Sequence, residues 1–203
     1  DQTFRYRICR HRDLTAMLAM ALVYESALAW HEPPVYHTVR YTVAADYAGL
    51  GRYEASDVTT GYGFFRAASD LTRAIYAMEY NPFAPAPELE SVEVEMTVSR
   101  GEISAEILDL RLDGETYRPG DAVTGSVTVR PFRGERVSLP VRFELPRDLS
   151  EGEHRLTACD SVTATGFRER EMPHRFDPDT LQELYAALGR VVELPSDRLY
   201  LPL

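Results

Sequence analysis

Between Val123 and Leu145 the apolar residues fall on every second position and are interrupted only by turn chemistry, a pattern that restricts the possible folds more than any other feature of the chain. Val123, Val127 and Val129 alternate with polar neighbours, Arg133-Gly134-Glu135 supplies a turn, and Val137, Leu139, Val141, Phe143 and Leu145 continue the alternation without a break. A period of two places successive side chains on opposite faces of a strand, so each segment has one core face and one wet face. Upstream, Ile103, Ala105 and Ile107 alternate, and the phase slips at Leu108 so that Leu110 and Leu112 carry it on, the footprint of a β-bulge. Arg118-Pro119-Gly120-Asp121 puts Pro where φ is fixed near −65° and Gly where φ must be positive, which is type II turn chemistry. Residues 103–160 therefore read as a small antiparallel β-sandwich module of Ig-like kind.

The first hundred residues have a different rhythm. Phe4, Tyr6 and Ile8 alternate with Arg5 and Arg7 and predict a strand over 3–9. Asp13 is placed to cap a following helix, with Met17, Met20, Ala21, Tyr24 and Leu28 on its buried face and Leu14, Leu18 and Leu22 widening the apolar surface. After Pro33-Pro34, Val39, Tyr41 and Val43 predict a second strand, and residues 53–59 a third. Gly61-Tyr62-Gly63 leads into a helix whose stripe is Phe64, Ala67, Ala68, Leu71, Ala74, Ile75 and Met78, set opposite Arg66, Asp70 and Arg73. Asn81-Pro82 ends it, the Pro-rich stretch 83–87 is a stiff connector, and Val92, Val94, Met96 and Val98 alternate with Glu93 and Glu95. The expected architecture is α+β: a β-α-β-β-α-β layer with two helices on one face of a sheet (residues 1–100), the β-sandwich module (101–165), and a C-terminal helix with a docking tail (166–203). In that last part Asp177 and Pro178 start the helix, Leu181, Leu184, Tyr185 and Leu188 form its stripe, and Gly189 ends it.

Composition narrows function. A net charge of −10 opposes phosphate backbones, so nucleic acid is excluded as a partner. All 22 basic residues are Arg, which rules out any mechanism with a Lys nucleophile. The Arg-rich start followed by the apolar run 14–23 mimics a secretory signal, but Glu25 interrupts it and it is too short to span a bilayer, so membrane insertion is not expected. Two cysteines, Cys9 and Cys159, exclude Cys-rich metal scaffolds and leave two alternatives open, a pair of buried thiols or one disulfide.

Candidate chemistry is sparse. Ser126 follows Gly125 in mid-strand without a nucleophile elbow, and His154, Asp160 and Ser161 read as a strand end with its turn. His31, Glu32 and His37 are split by Pro33-Pro34 and lack ligand spacing; Gly61-Tyr62-Gly63 lacks the third Gly and the Lys of a phosphate loop. No catalytic, cofactor or metal-binding residue is assigned. Tyr36, Trp30 and Tyr62 are candidates for an exposed binding surface of an adhesion or glycan-binding module.

The stretch holding Arg118-Pro119-Gly120-Asp121, Arg130-Pro131-Phe132-Arg133-Gly134-Glu135 and Leu145-Pro146 resembles, together with Asn81-Pro82-Phe83, Pro173-His174-Arg175-Phe176 and Asp197-Arg198-Leu199-Tyr200, the noncatalytic C-terminal region of exported bacterial proteins carrying a SpoIVB-type (sporulation stage IV B) serine peptidase domain. The resemblance implies an accessory region that positions or regulates a peptidase domain or its substrate. Its partner would be a domain of the same parent chain or a peptide, its location periplasmic or cell-surface, and that setting would permit a Cys9–Cys159 disulfide. No catalytic residue carries over.

Overall fold

The computed structural model describes residues 2–30, 34–61 and 63–203, with the side chain of Trp30 excepted. Its elements run α1 (Thr15–Trp30), β1 (His37–Tyr47), β2 (Gly51–Thr60), α2 (Gly63–Glu79), β3 (Leu89–Arg100), β4 (Ala105–Leu112), β5 (Ala122–Pro131), β6 (Val137–Glu144), α3 (Ser161–Glu171), a 3₁₀ turn (Pro173–Arg175) and α4 (Leu181–Val191). The fold is mixed α+β, with one antiparallel sheet in the order β2-β1-β3 and another in the order β4-β5-β6.

The first sheet carries the main core. Val39, Tyr41, Val43, Ala45 and Tyr47 of the central strand pack beneath α2, whose buried residues include every apolar position of the expected stripe. Gly63 is required where α2 meets the sheet, since a Cβ there would lie 2.6 Å from Thr59 Cγ2 and 2.9 Å from Val39 Cβ. Asn81 finishes the helix by donating to Met78 O at 2.7 Å while its side-chain oxygen receives the Phe83 and Ala84 amides. Leu188 of α4 enters the same core, with Leu181, Leu184 and Tyr185 packed beside it. The C-terminal helix thus completes the first layer.

Three expectations are corrected here. Residues 2–11 form no ladder: the segment is held to α1 by Tyr6 to Ser26 at 3.0 Å, to the end of α2 by Arg10 to Glu79 at 3.2 Å, and to the following connector by Arg10 to Pro87 O at 3.0 Å. The alternation of Phe4, Tyr6 and Ile8 is real, but no sheet edge receives it. α1 buries Ala16, Ala19 and Val23 against the core and turns Met17, Met20 and Leu28 outward, the reverse of the expected face. Small residues let α1 approach α2 closely, and that close approach prevails over the larger apolar surface of its other side. α4 starts at Leu181, capped by Thr180 rather than Asp177, and continues past Gly189 to Val191.

In the second sheet the register shifts between Ile107 and Asp109, the bulge expected at Leu108. The 118–121 turn closes with Asp121 N–H donating to Arg118 O at 2.9 Å and Gly120 at φ +86°. Among the described residues this region contributes one three-stranded sheet, and Val137 and Leu139 on β6 stand exposed. The tail returns to residues 157–159 through paired backbone bonds between Cys159 and Tyr200 and a bond from Thr157 N to Pro202 O at 3.0 Å.

Candidate functional site

Of the surface aromatics singled out above, Tyr62 and the Trp30 side chain lie outside the described residues, as do His31 and Glu32. Tyr36 is 41% exposed, yet it is already engaged. The Arg133 guanidinium sits 4.2 Å over its ring and donates to its hydroxyl at 2.8 Å, and Phe132 packs at 5.2 Å between centroids. Arg133 occupies the left-handed region at φ +56° in the turn closed by Gly134 N to Pro131 O, a conformation a non-glycine residue adopts only when its surroundings hold it there. The β5–β6 hairpin tip is thereby clasped to the start of β1, and Phe132 N to Ser104 O and Gly101 N to Tyr36 O tie in the intervening chain.

The other candidates are used locally. Asp160 caps α3 by accepting from Thr163 N at 2.8 Å, which holds its carboxyl below the usual range, and His154 bonds to Ser150 O at 2.8 Å. Ser161 meets Ser196 at 3.1 Å. The His154, Asp160 and Ser161 side chains therefore serve a turn, a cap and a tail contact. His37 is buried with Nδ1 2.6 Å from Pro34 O and its ring stacked on Phe64. Cys9 is an exposed free thiol, whereas Cys159 is a buried free thiol whose pKa is raised by desolvation.

Sequence reasoning missed the polar cluster between α2 and the sheet. Asp70, expected on the wet face, is 2% exposed and accepts from the Tyr41 hydroxyl at 2.5 Å. Arg66 Nε lies 3.7 Å and Arg73 Nη1 3.4 Å from its oxygens. Asp57 lies 3.9 Å from Arg66 and receives both the amide and the hydroxyl of Ser196, at 2.7 and 2.8 Å, so the cluster also anchors the tail. Burial first, and the Asp70 bond second, push the Tyr41 phenol far up, and desolvation lifts Tyr53 to about 12. Such phenols stay protonated, and Tyr41 donates to Asp70, so the cluster's chemistry is that of a lock. The signal was present in the helix register, because Asp70 lies three and four residues from Ala67 and Ala74 of the stripe.

The most distinctive surface belongs to α1 and the segment before it. Glu25 is the single charged residue of the helix, and away from the Ala16–Ala19–Val23 edge it presents Leu14 just before the helix, then Met17, Leu18, Met20 and Leu28; Met17 is 52% and Leu14 46% exposed. Phe4, Tyr6 and Ile8 add exposed apolar groups, interleaved with Arg5, Arg7, Arg10 and Arg12 and with no acid between residues 2 and 12. In a chain of net charge −10 this is a basic and apolar exception. Among the described residues no helix is long and apolar enough to cross a membrane.

No family model matches the chain, and neither a curated protein nor a solved structure is significantly similar to it.

Proposed function

We propose that this chain is a noncatalytic accessory region of a larger exported protein of the SpoIVB peptidase type, docking on a peptidase domain and holding that domain or its substrate in place. The observation that carries the reading is α1: a sixteen-residue helix with a single charge, open along the side its neighbours leave uncovered. A water-soluble fold does not keep so apolar a helix half-open without a partner to cover it. Arg5, Arg7 and Arg12, beside an Arg10 already paired with Glu79, set the partner's chemistry as an apolar patch rimmed by carboxylates on another folded domain. In the same reading β4–β6 is one sheet of an Ig-like module, with Val137 and Leu139 at the place of the second.

Calorimetric titration of the chain with a separately expressed SpoIVB-type peptidase domain tests this. Binding is expected, weakened by raised salt and abolished by the pair Met17→Glu and Leu28→Glu. Absence of binding, or binding indifferent to that pair, would sink the proposal.

A further inference from the structure

A surface cleft sharing no residue with α1 lies where α3, the 3₁₀ turn and α4 meet. The three elements enclose an open cleft of about 370 Å³ whose lining includes Arg168, Arg175, Arg190, Met172, Phe176 and Gly189. Three arginines line it against one acidic residue, Glu193, which pairs with Arg168 at 2.9 Å. Arg190 is fixed by donating to the Arg175 carbonyl at 2.5 Å, and the Arg175 guanidinium has no acidic partner among the described residues. The cleft is thus cationic in an acidic chain, with Met172 and Phe176 supplying apolar wall.

Arginines near the ends of α3 and α4 also complement the helix dipoles. That role accounts for Arg168 and Arg190 but not for Arg175, which follows a helix of only three residues. Nor does it account for Gly189. Glycine inside a helix is unfavourable, and here no neighbour demands it: a Cβ would meet nothing within 4 Å and would project into open space beside the cleft.

We propose that this cleft binds an apolar carboxylate, with the Arg175 guanidinium taking the two oxygens as a fork, Met172 and Phe176 covering the hydrocarbon, and Gly189 leaving room for it. A peptide ending in a hydrophobic residue carries this chemistry, and so does a small branched-chain acid.

The probes are acetyl-Ala-Ala-Leu with a free carboxylate, the same peptide as its C-terminal amide, and 4-methylpentanoate, each titrated into the intact chain and followed by amide shifts in two-dimensional NMR. The free-acid peptide is expected to shift the Gly189 and Arg175 amides saturably, and the amide to bind about tenfold more weakly or not at all, as loss of a charge-assisted pair requires. Binding of 4-methylpentanoate as tight as the peptide would assign the site to small acids; a clear preference for the peptide would assign it to chain termini. Arg175→Gln should weaken the free acid about tenfold while leaving the amide unchanged. Gly189→Ala separates the site from the fold, since it should raise the melting temperature and lower affinity together. Equal binding of acid and amide, affinity unchanged in Arg175→Gln, or no saturable shift with either acid would overturn the proposal.

Discussion

Asp70 is a charged side chain that behaves as a core residue because everything around it is arranged to receive it. Its carboxylate accepts a short hydrogen bond from the Tyr41 hydroxyl and sits within reach of Arg66 and Arg73, both of which keep part of their surface in water. Replacing it with Ala would strand the Tyr41 hydroxyl and leave two guanidiniums crowded together. Asp70→Ala is expected to cost about 3 kcal/mol in chemical denaturation, and Tyr41→Phe about 1–2 kcal/mol, with a double variant well short of the sum. Additive losses would show that the two groups are not coupled. The same phenols fix an alkaline limit. Tyr41, Tyr47, Tyr53 and Tyr185 all have pKa values raised chiefly by burial, so the folded state keeps protons that the unfolded chain sheds from about pH 10. Their contribution is complete below that pH and is lost as pH rises through the raised folded values, about 12 for Tyr53. A spectrophotometric titration should show the signal of these buried phenols appearing late, together with unfolding. A single smooth titration of all twelve would contradict the buried placement. None of this is legible in the sequence except through register: the stripe of α2 is readable residue by residue, but charge sets Asp70 with Arg66 and Arg73 while its spacing sets it with Ala67 and Ala74.

Among the elements, those whose boundaries depend on local chemistry were readable. The type II turn at 118–121 and the bulge at Leu108 follow from Pro, Gly and a slipped phase. Those whose fate depends on a partner were not. The alternation in residues 3–9 predicts a strand, yet a strand requires an edge to pair with, and Arg10 instead ties the segment to the end of α2. α3 carries β-branched residues and Gly166 and shows no apolar stripe; it forms behind the Asp160 cap and against the tail. For α1 the sequence reveals an apolar helix without saying which side is covered, because residues of every size are apolar. Its open face makes a direct prediction: the isolated chain should bind an apolar dye and self-associate at high concentration, and Met17→Glu with Leu28→Glu should suppress both without lowering the melting temperature. A large loss of stability in that pair would mean the face is internal. Glycines separate the two sheets' demands from those of α4. A Cβ on Gly125 would lie 2.2 Å from the Arg111 carbonyl oxygen across the β4–β5 pair, so Gly125→Ala should destabilise by roughly 2–3 kcal/mol in urea unfolding. An unchanged midpoint would refute that close approach.

The whole molecule is tied together from its end. The sequence suggests successive parts, but α4 enters the first core, Ser196 bonds to Asp57 on β2, and Tyr200 pairs with Cys159, so the last forty residues bind the start of the chain to its middle. The clasp of Arg133 on Tyr36 holds the second sheet to the first from the other side of the chain order. A scaffold secured in this way can present α1 and the basic segment as a rigid surface, so that little ordering entropy opposes docking. Hydrogen exchange on the complex with a SpoIVB-type peptidase domain tests that claim most directly. Exchange is expected to slow in residues 2–12 and along α1, with β4–β6 and α4 unchanged. Protection confined to β6 or the C-terminal helices, with α1 exchanging as in the free chain, would contradict it.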